Sequence, residues 1–170
     1  MGPQEASFAK FYRESKDSCL RAVLASTGDR HLAEDCAAEA FARAWASWRK
    51  VSRHPVPSAW VIRTALNLSV SAWRKGRREV LLDHRRRSRA VSPATDADLE
   101  GPDSSVMTMI AGLPERQRQV IALRVFLDLD TATTARVLGI APGTVTAHLA
   151  RAIAALRQQL APACQQEESS

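Results

Sequence analysis

Apolar residues return every three or four positions along two long stretches of this chain, and the periodicity fails between them. Residues 5–78 carry that helical spacing almost throughout, and residues 106–161 carry it again. The intervening sequence runs through Arg85-Arg86-Arg87 and Ser92-Pro93 to Asp96, Asp98, Glu100, Gly101-Pro102 and Asp103, with few apolar residues at any period. Such a segment buries too little apolar surface to offset the entropy of ordering it. The expected fold is therefore all-α: two small helical domains, residues 1–78 and 106–161, joined by a flexible linker at 79–105. The Gln-, Glu- and Ser-rich tail at 162–170 is expected to be disordered.

The sharpest local pattern begins at Asp130. Ala135 is small where one helix must approach another closely, and Gly139, four residues on, supplies the positive φ that ends the first helix. Val145, six further on, is an apolar plug between the two. Pro142 suits a first helical turn, where its missing N–H is not needed. Beyond it Val145, Leu149, Ala152, Ile153, Leu156 and Leu160 form one apolar stripe. Helical rotation turns Thr144, Ala147 and Arg151 outward and leaves Thr146 and His148 on the shoulders. A small-polar first turn followed by Arg is what a helix-turn-helix needs to enter the DNA major groove by its N-terminal end. A hairpin that only packs has no need of Ala, Gly and Val at these offsets.

The front domain carries two patterned helices. From Ala33 to Trp48, Ala37, Phe41, Ala44, Trp45 and Trp48 form a face expected to be buried. On another face Asp35 and Glu39 stand four apart with Glu34 beside them, a like-charged pair that invites a basic partner. Arg43, four residues past Glu39, offers internal neutralisation, so a merely solvated face fits as well. From Ser58 to Arg78 the residues Arg63, Asn67, Ser71, Arg74 and Arg78 fall at i, i+4, i+8, i+11 and i+15, a single polar stripe. Lys75 and Arg77 thicken its basic end. With Trp60 and Trp73 close by, the stripe suits a DNA strand with unstacked bases; core tryptophans beside solvated arginines are the alternative. The connector Val51-Ser52-Arg53-His54-Pro55-Val56-Pro57 is stiffened by its prolines, and either pockets an extruded base or only connects.

Charge and cysteine usage narrow the class. A net charge of +6 with pI near 9.9 fits a nucleic-acid partner. Cys19, Cys36 and Cys164 are scattered without metal-ligand spacing, and the four histidines form no cluster with a nucleophile. No catalytic residue, metal site or cofactor is expected. No apolar run approaches a membrane span, and Lys10 and Arg13 interrupt the region where a signal peptide needs its apolar core. A cytoplasmic protein with no membrane insertion is expected.

Taken together, these stretches resemble the small extracytoplasmic-function (ECF) sigma factors of bacterial RNA polymerase, in the sigma-70 family. The front resembles sigma domain two through Ala33-Glu34-Asp35, Glu39-Ala40-Phe41-Ala42-Arg43-Ala44-Trp45 and Ala59-Trp60-Val61-Ile62-Arg63, leading to Asn67-Leu68. The back resembles sigma domain four through Leu113-Pro114-Glu115-Arg116-Gln117-Arg118, Leu138-Gly139-Ile140, Gly143-Thr144-Val145, Arg151-Ala152 and Leu156-Arg157. The resemblance covers residues 5–160.

It implies a transcription initiation factor that binds core RNA polymerase and directs it to promoter DNA. Glu34, Asp35, Glu39 and Arg43 would dock on the β′ clamp helices, and residues 113–126 would meet the β flap. Trp60, Arg63, Asn67, Ser71, Trp73, Arg74, Lys75, Arg77 and Arg78, with the loop at 51–57, would melt and hold the minus-ten element. Thr144, Thr146, Ala147, His148 and Arg151 would read the minus-thirty-five element, and the linker would thread toward the active-site and RNA-exit channels. The family also admits an anti-sigma factor as a partner. Thr146 and His148 stand where the family often carries Lys or Arg. Two other readings remain: a stand-alone regulator with a LuxR-like helix-turn-helix, against which the front domain argues, and an interaction protein that reads no DNA.

Overall fold

The computed structural model describes residues 2–83 and 102–167, with side chains at 2–76 and 105–160. Most of the expected linker, and with it Arg85-Arg86-Arg87, lies outside the described residues, as do the side chains of Arg77, Arg78 and Cys164.

Helix α1 spans Pro3–Thr27. Its first turn is closed by the Glu5 carboxylate, which accepts the Gly2 N–H at 2.7 Å, and its end by Gly28 at φ 72°, whose N–H returns to Leu24 O at 2.8 Å. Asp29 then caps α2 (Arg30–Ala46), its carboxylate accepting the Leu32 N–H at 2.9 Å. A single turn, α3 (Trp48–Val51), leads through the proline connector to α4 (Pro57–Asp83).

Helices α1, α2 and α4 pack mutually. On α2 the stripe Ala33, Ala37, Ala40 and Ala44 is buried, and small side chains there let the helix axes approach closely. Ile62, Ala65 and Leu66 of α4 are buried in the same core. An aromatic cluster fixes the far end: Phe11 stacks on Trp48 at 5.0 Å, Tyr12 meets Phe41 edge-on at 5.0 Å, and the Trp48 indole N–H donates to Ser7 Oγ at 3.3 Å. Trp45 corrects the expected buried face, for it is 40% exposed and touches only the rim of the cluster, 5.1 Å from Phe8. Its rotation lies about 100° from the centre of the alanine stripe, at the edge of what α1 and α4 cover.

The back half comprises α5 (Pro102–Ala111), α6 (Glu115–Ile121) running into a π-helical turn at Ala122–Phe126, α7 (Thr131–Leu138) and α8 (Pro142–Glu167). Helix α8 thus runs to Glu167, past the expected start of the tail at residue 162. Ile153 and Leu160, expected within the buried stripe, are exposed at 37% and 47%.

The two halves do not stand apart. Helix α1 contacts α5, α6 and the π turn as well as α2 and α4, and α7 contacts α4. Cys19, Ala22 and Val23 of α1 belong to one continuous buried cluster with Ile110, Leu113, Ile121 and Leu123. Arg118 of α6 stitches the junction, donating from Nη1 to Leu113 O at 3.2 Å and from Nε to Ser26 O, near the end of α1, at 3.4 Å. A cation beside the last carbonyls of a helix also meets the negative end of its dipole. The two helical domains thus pack against one another and share a core through α1.

Candidate nucleic-acid interface

The helix-turn-helix forms as its chemistry demands. Asp130 caps α7, its carboxylate accepting the Thr133 N–H at 2.6 Å. That backbone bond, then the Thr133 hydroxyl, holds the Asp130 carboxyl below the usual carboxylate range, with Arg136 and Arg124 adding to the effect. Gly139 ends α7 at φ 65°, and the Ile140 N–H returns to Ala135 O at 3.1 Å. The axes of α7 and α8 differ by 100° across this turn, within the range of DNA-binding helix pairs. Val145 is fully buried against Val120 and Ala135, with Leu138, Ile140 and Leu149 closing the contact.

On the outer side of α8, Thr144, Thr146 and Arg151 are exposed, while Ala147 and His148 are half-buried. The Thr146 hydroxyl donates to Pro142 O at 3.3 Å. The His148 Nδ1 is closed off from solvent without a hydrogen-bond partner.

The second surface is α4. Arg63, Asn67, Ser71, Arg74 and Lys75 are all exposed, so the stripe is assembled on one helix as expected. Arg63, Arg74 and Lys75 make no ion pair with any described residue; the three ion pairs among the described residues all lie within α1 or α2. The Ser71 hydroxyl donates to Asn67 O at 3.0 Å, turning its proton back to the helix. The two tryptophans do not share this face. Thirteen residues at about 100° each set them roughly 140° apart around the helix. Trp60 follows the stripe's rotation but is half-buried against the core. Trp73 is 59% exposed and, with Arg74, lines a cleft of about 310 Å³ facing Glu115, Arg118 and Gln119 of α6.

Basic residues just before α4 are exposed as well, Arg53 and His54 on the expected connector and Arg49 and Lys50 outside the expected set. They are held in place by buried Trp48 and Val51. The connector is ordered by its own contacts, the Val56 N–H donating to His54 Nδ1 at 3.1 Å. The sequence signal was available, because no Asp or Glu falls between Glu39 and Glu79.

The acidic face of α2 points away from α4, opposite the alanine stripe. Glu34, Asp35 and Glu39 are exposed, but two of them are already paired, Glu34 with Arg30 at 3.0 Å and Glu39 with Arg43 at 2.7 Å. Asp35 is left outside these pairs. It and Asp29 add to the burial that raises the Cys36 thiol. Burial pushes the Cys19 thiol up to about 12, which keeps it an unreactive core residue.

Comparison with known proteins matches both halves. The family model for sigma-70 region 2 matches residues 11–79, and that for sigma-70 region 4 matches residues 104–156. The ECF RNA polymerase sigma factor SigW of Bacillus subtilis is 30% identical over 171 residues, covering 94% of this chain and 91% of SigW. The RNA polymerase sigma-E factor of Streptomyces coelicolor is 29% identical over 154 residues, covering 90% of this chain and 85% of that protein. Among solved structures, the sigma factor RpoE of Bartonella quintana, in complex with the anti-sigma factor NepR, gives a TM-score of 0.73 at 22% identity, over 91% of this chain and 96% of RpoE. CnrH, in complex with the cytosolic domain of CnrY, gives 0.61 at 19% identity, over 93% and 90% of the two chains. At these identities the structural matches establish the fold, and the relatives establish the family. The chain belongs to the extracytoplasmic-function sigma factors of the sigma-70 family.

Proposed function

We propose that the protein is a transcription initiation factor that binds core RNA polymerase and directs it to two-part promoters. The observation that carries this reading is the pairing, in one chain, of an uncompensated basic face on α4 with a helix-turn-helix, in the order of sigma regions two and four. A stand-alone regulator with a LuxR-like helix-turn-helix leaves α4 and the region-two match without a role.

The division of labour follows from the surfaces. Residues 1–78 take the polymerase and the minus-ten element, residues 106–161 take the minus-thirty-five element, and residues 79–105 connect them. Arg63, Asn67, Arg74 and Lys75, with Arg77 and Arg78 further along α4, hold the opened strand. Arg49, Lys50 and Arg53 add phosphate contacts, which raise affinity without carrying sequence information. Trp60 supports the helix from within, and Trp73, the more exposed of the two at 59%, is the tryptophan that meets a base. Asp35 leads the docking on the β′ clamp helices, because Glu34 and Glu39 must first exchange their internal partners. Thr144, Thr146, Ala147, His148 and Arg151 form the upstream reading face. The factor does no chemistry of its own, and its place is the cytoplasm, with the polymerase. RpoE and CnrH were each solved bound to a second protein, and an anti-sigma factor is proposed as a partner here too.

Reconstitution with core RNA polymerase tests the reading. The mixture should initiate transcription at a two-part promoter where neither component does so alone. Tight, specific promoter binding by the free chain, unchanged by core enzyme, would overturn it.

A further inference from the structure

The ring of His148 is divided between the inside and the outside of the reading helix. Its Cα lies about 65° around α8 from the centre of the buried line Val145, Leu149 and Ala152, which is where a side chain is half covered. Nδ1 is shut off from solvent without a partner, and Nε2 is the ring nitrogen left at the surface. An unpaired lone pair is better tolerated in a buried site than an unpaired N–H. The ring therefore carries its proton on Nε2, directed outward. On the other shoulder the Thr146 hydroxyl proton is engaged by Pro142 O, so Thr146 offers the groove lone pairs only. The two shoulders thus present one donor and one acceptor, each fixed in sense by contacts within the helix pair.

We propose that His148 is a specificity-determining residue, donating from Nε2–H to the acceptor edge of a guanine in the upstream promoter element. This rests on the assignment of α8 to that element. Guanine shows two adjacent acceptors in the major groove, N7 and O6, whereas cytosine shows a donor, and adenine and thymine each show one acceptor beside a donor or a methyl group. A single directed donor discriminates best for the edge that only accepts. A phosphate would accept the same bond, but phosphates are served by long mobile cations such as Arg151, and a short ring locked by packing suits the fixed direction of a base edge.

The test uses holoenzyme made from the full chain and core RNA polymerase, on a promoter library randomised in the upstream element. Wild type should prefer guanine at one position by about five- to tenfold, the size of one good hydrogen bond. H148A should lose that preference and no other, and H148Q should shift it toward adenine, whose N6 and N7 pair with a glutamine amide. Placing 7-deazaguanine there should weaken wild type about fivefold and leave H148A unchanged. Uniform weakening of every promoter by H148A, with the profile unaltered, would assign the ring to packing or phosphate contact and overturn the proposal. H148Q keeps the test decisive if H148A melts early by circular dichroism. A wild-type holoenzyme that initiates without regard to the upstream element would overturn the assignment of α8 itself, and with it this inference.

Discussion

Val145→Ala tests whether the reading helix is held as the structure has it. Val145 is fully buried between Val120 and Ala135, so the substitution removes two methyl groups from a closed site. Their transfer accounts for about 1.6 kcal/mol at roughly 0.8 kcal/mol per carbon. A void on the order of 45 Å³ that does not collapse adds about 1 kcal/mol. Alanine's better helix propensity returns about 0.5 kcal/mol, leaving a net loss near 2 kcal/mol. Urea unfolding followed by circular dichroism reads that loss as a lower midpoint at unchanged slope. Val145→Thr is the control: it fills the space but buries a hydroxyl among apolar groups, and should cost about 1–3 kcal/mol without a cavity. In reconstituted transcription, V145A should depress initiation that depends on the upstream element and spare binding to core polymerase. A loss below about 0.5 kcal/mol for V145A, or V145T as stable as wild type, would refute a packed plug.

Three further outcomes are expected. Asp35→Lys with Glu39→Lys should weaken core-polymerase binding while leaving helicity by circular dichroism intact, with Asp35→Lys contributing the larger part because Glu39 is already paired with Arg43; unchanged affinity would make the α2 face merely solvated. Trp60→Ala should lower the thermal midpoint, whereas Trp73→Ala should leave it nearly unchanged and slow promoter opening measured by permanganate reactivity; the reverse pattern would sink the assignment of the two rings. The Asp130 carboxyl has a folded pKa below its unfolded value, so its cap is at full strength above about pH 4 and is lost as pH falls through the folded value. Asp130→Asn, which still caps, should remove that part of the acid sensitivity in a comparison of pH titrations, and identical acid profiles would count against it.

What the sequence made legible was local chemistry. Gly139 announces its own left-handed turn, and Ala135 and Val145 announce a close crossing, because each requirement is met within ten residues of chain. Faces were legible where a neighbour exists to cover them, as on α2 and the first half of α4. Periodicity cannot say whether a partner is present, and so Ile153 and Leu160 looked buried but stand exposed. Trp45 erred for a related reason: a large apolar residue at the margin of a stripe is covered only as far as its neighbours reach. Least legible was the dual role of α1. Cys19, Ala22, Val23 and Ser26 are small and inconspicuous, yet their size is what lets a second domain lie against the helix. The missed basic residues Arg49 and Lys50 sit on a single helical turn, too short for any periodic signal.

The shared core along α1 sets a population problem. Elements named for positions ten and thirty-five are separated by about 25 base pairs, roughly 85 Å of duplex at 3.4 Å per step. Helix α8, with its 26 residues, spans about 39 Å, and α7 rests on α4. The packed form cannot lie across both elements at once. On the proposed assignment of one element to each half, promoter engagement draws on the fraction of molecules whose halves have parted, and apparent affinity falls in proportion to that fraction. Each kcal/mol held in the contacts of Cys19, Ala22 and Val23 with the back half dims the free chain's hold on a whole promoter about fivefold. A core built from some of the smallest side chains in the protein thereby acts as a threshold, one that a large partner able to separate the halves is suited to lower.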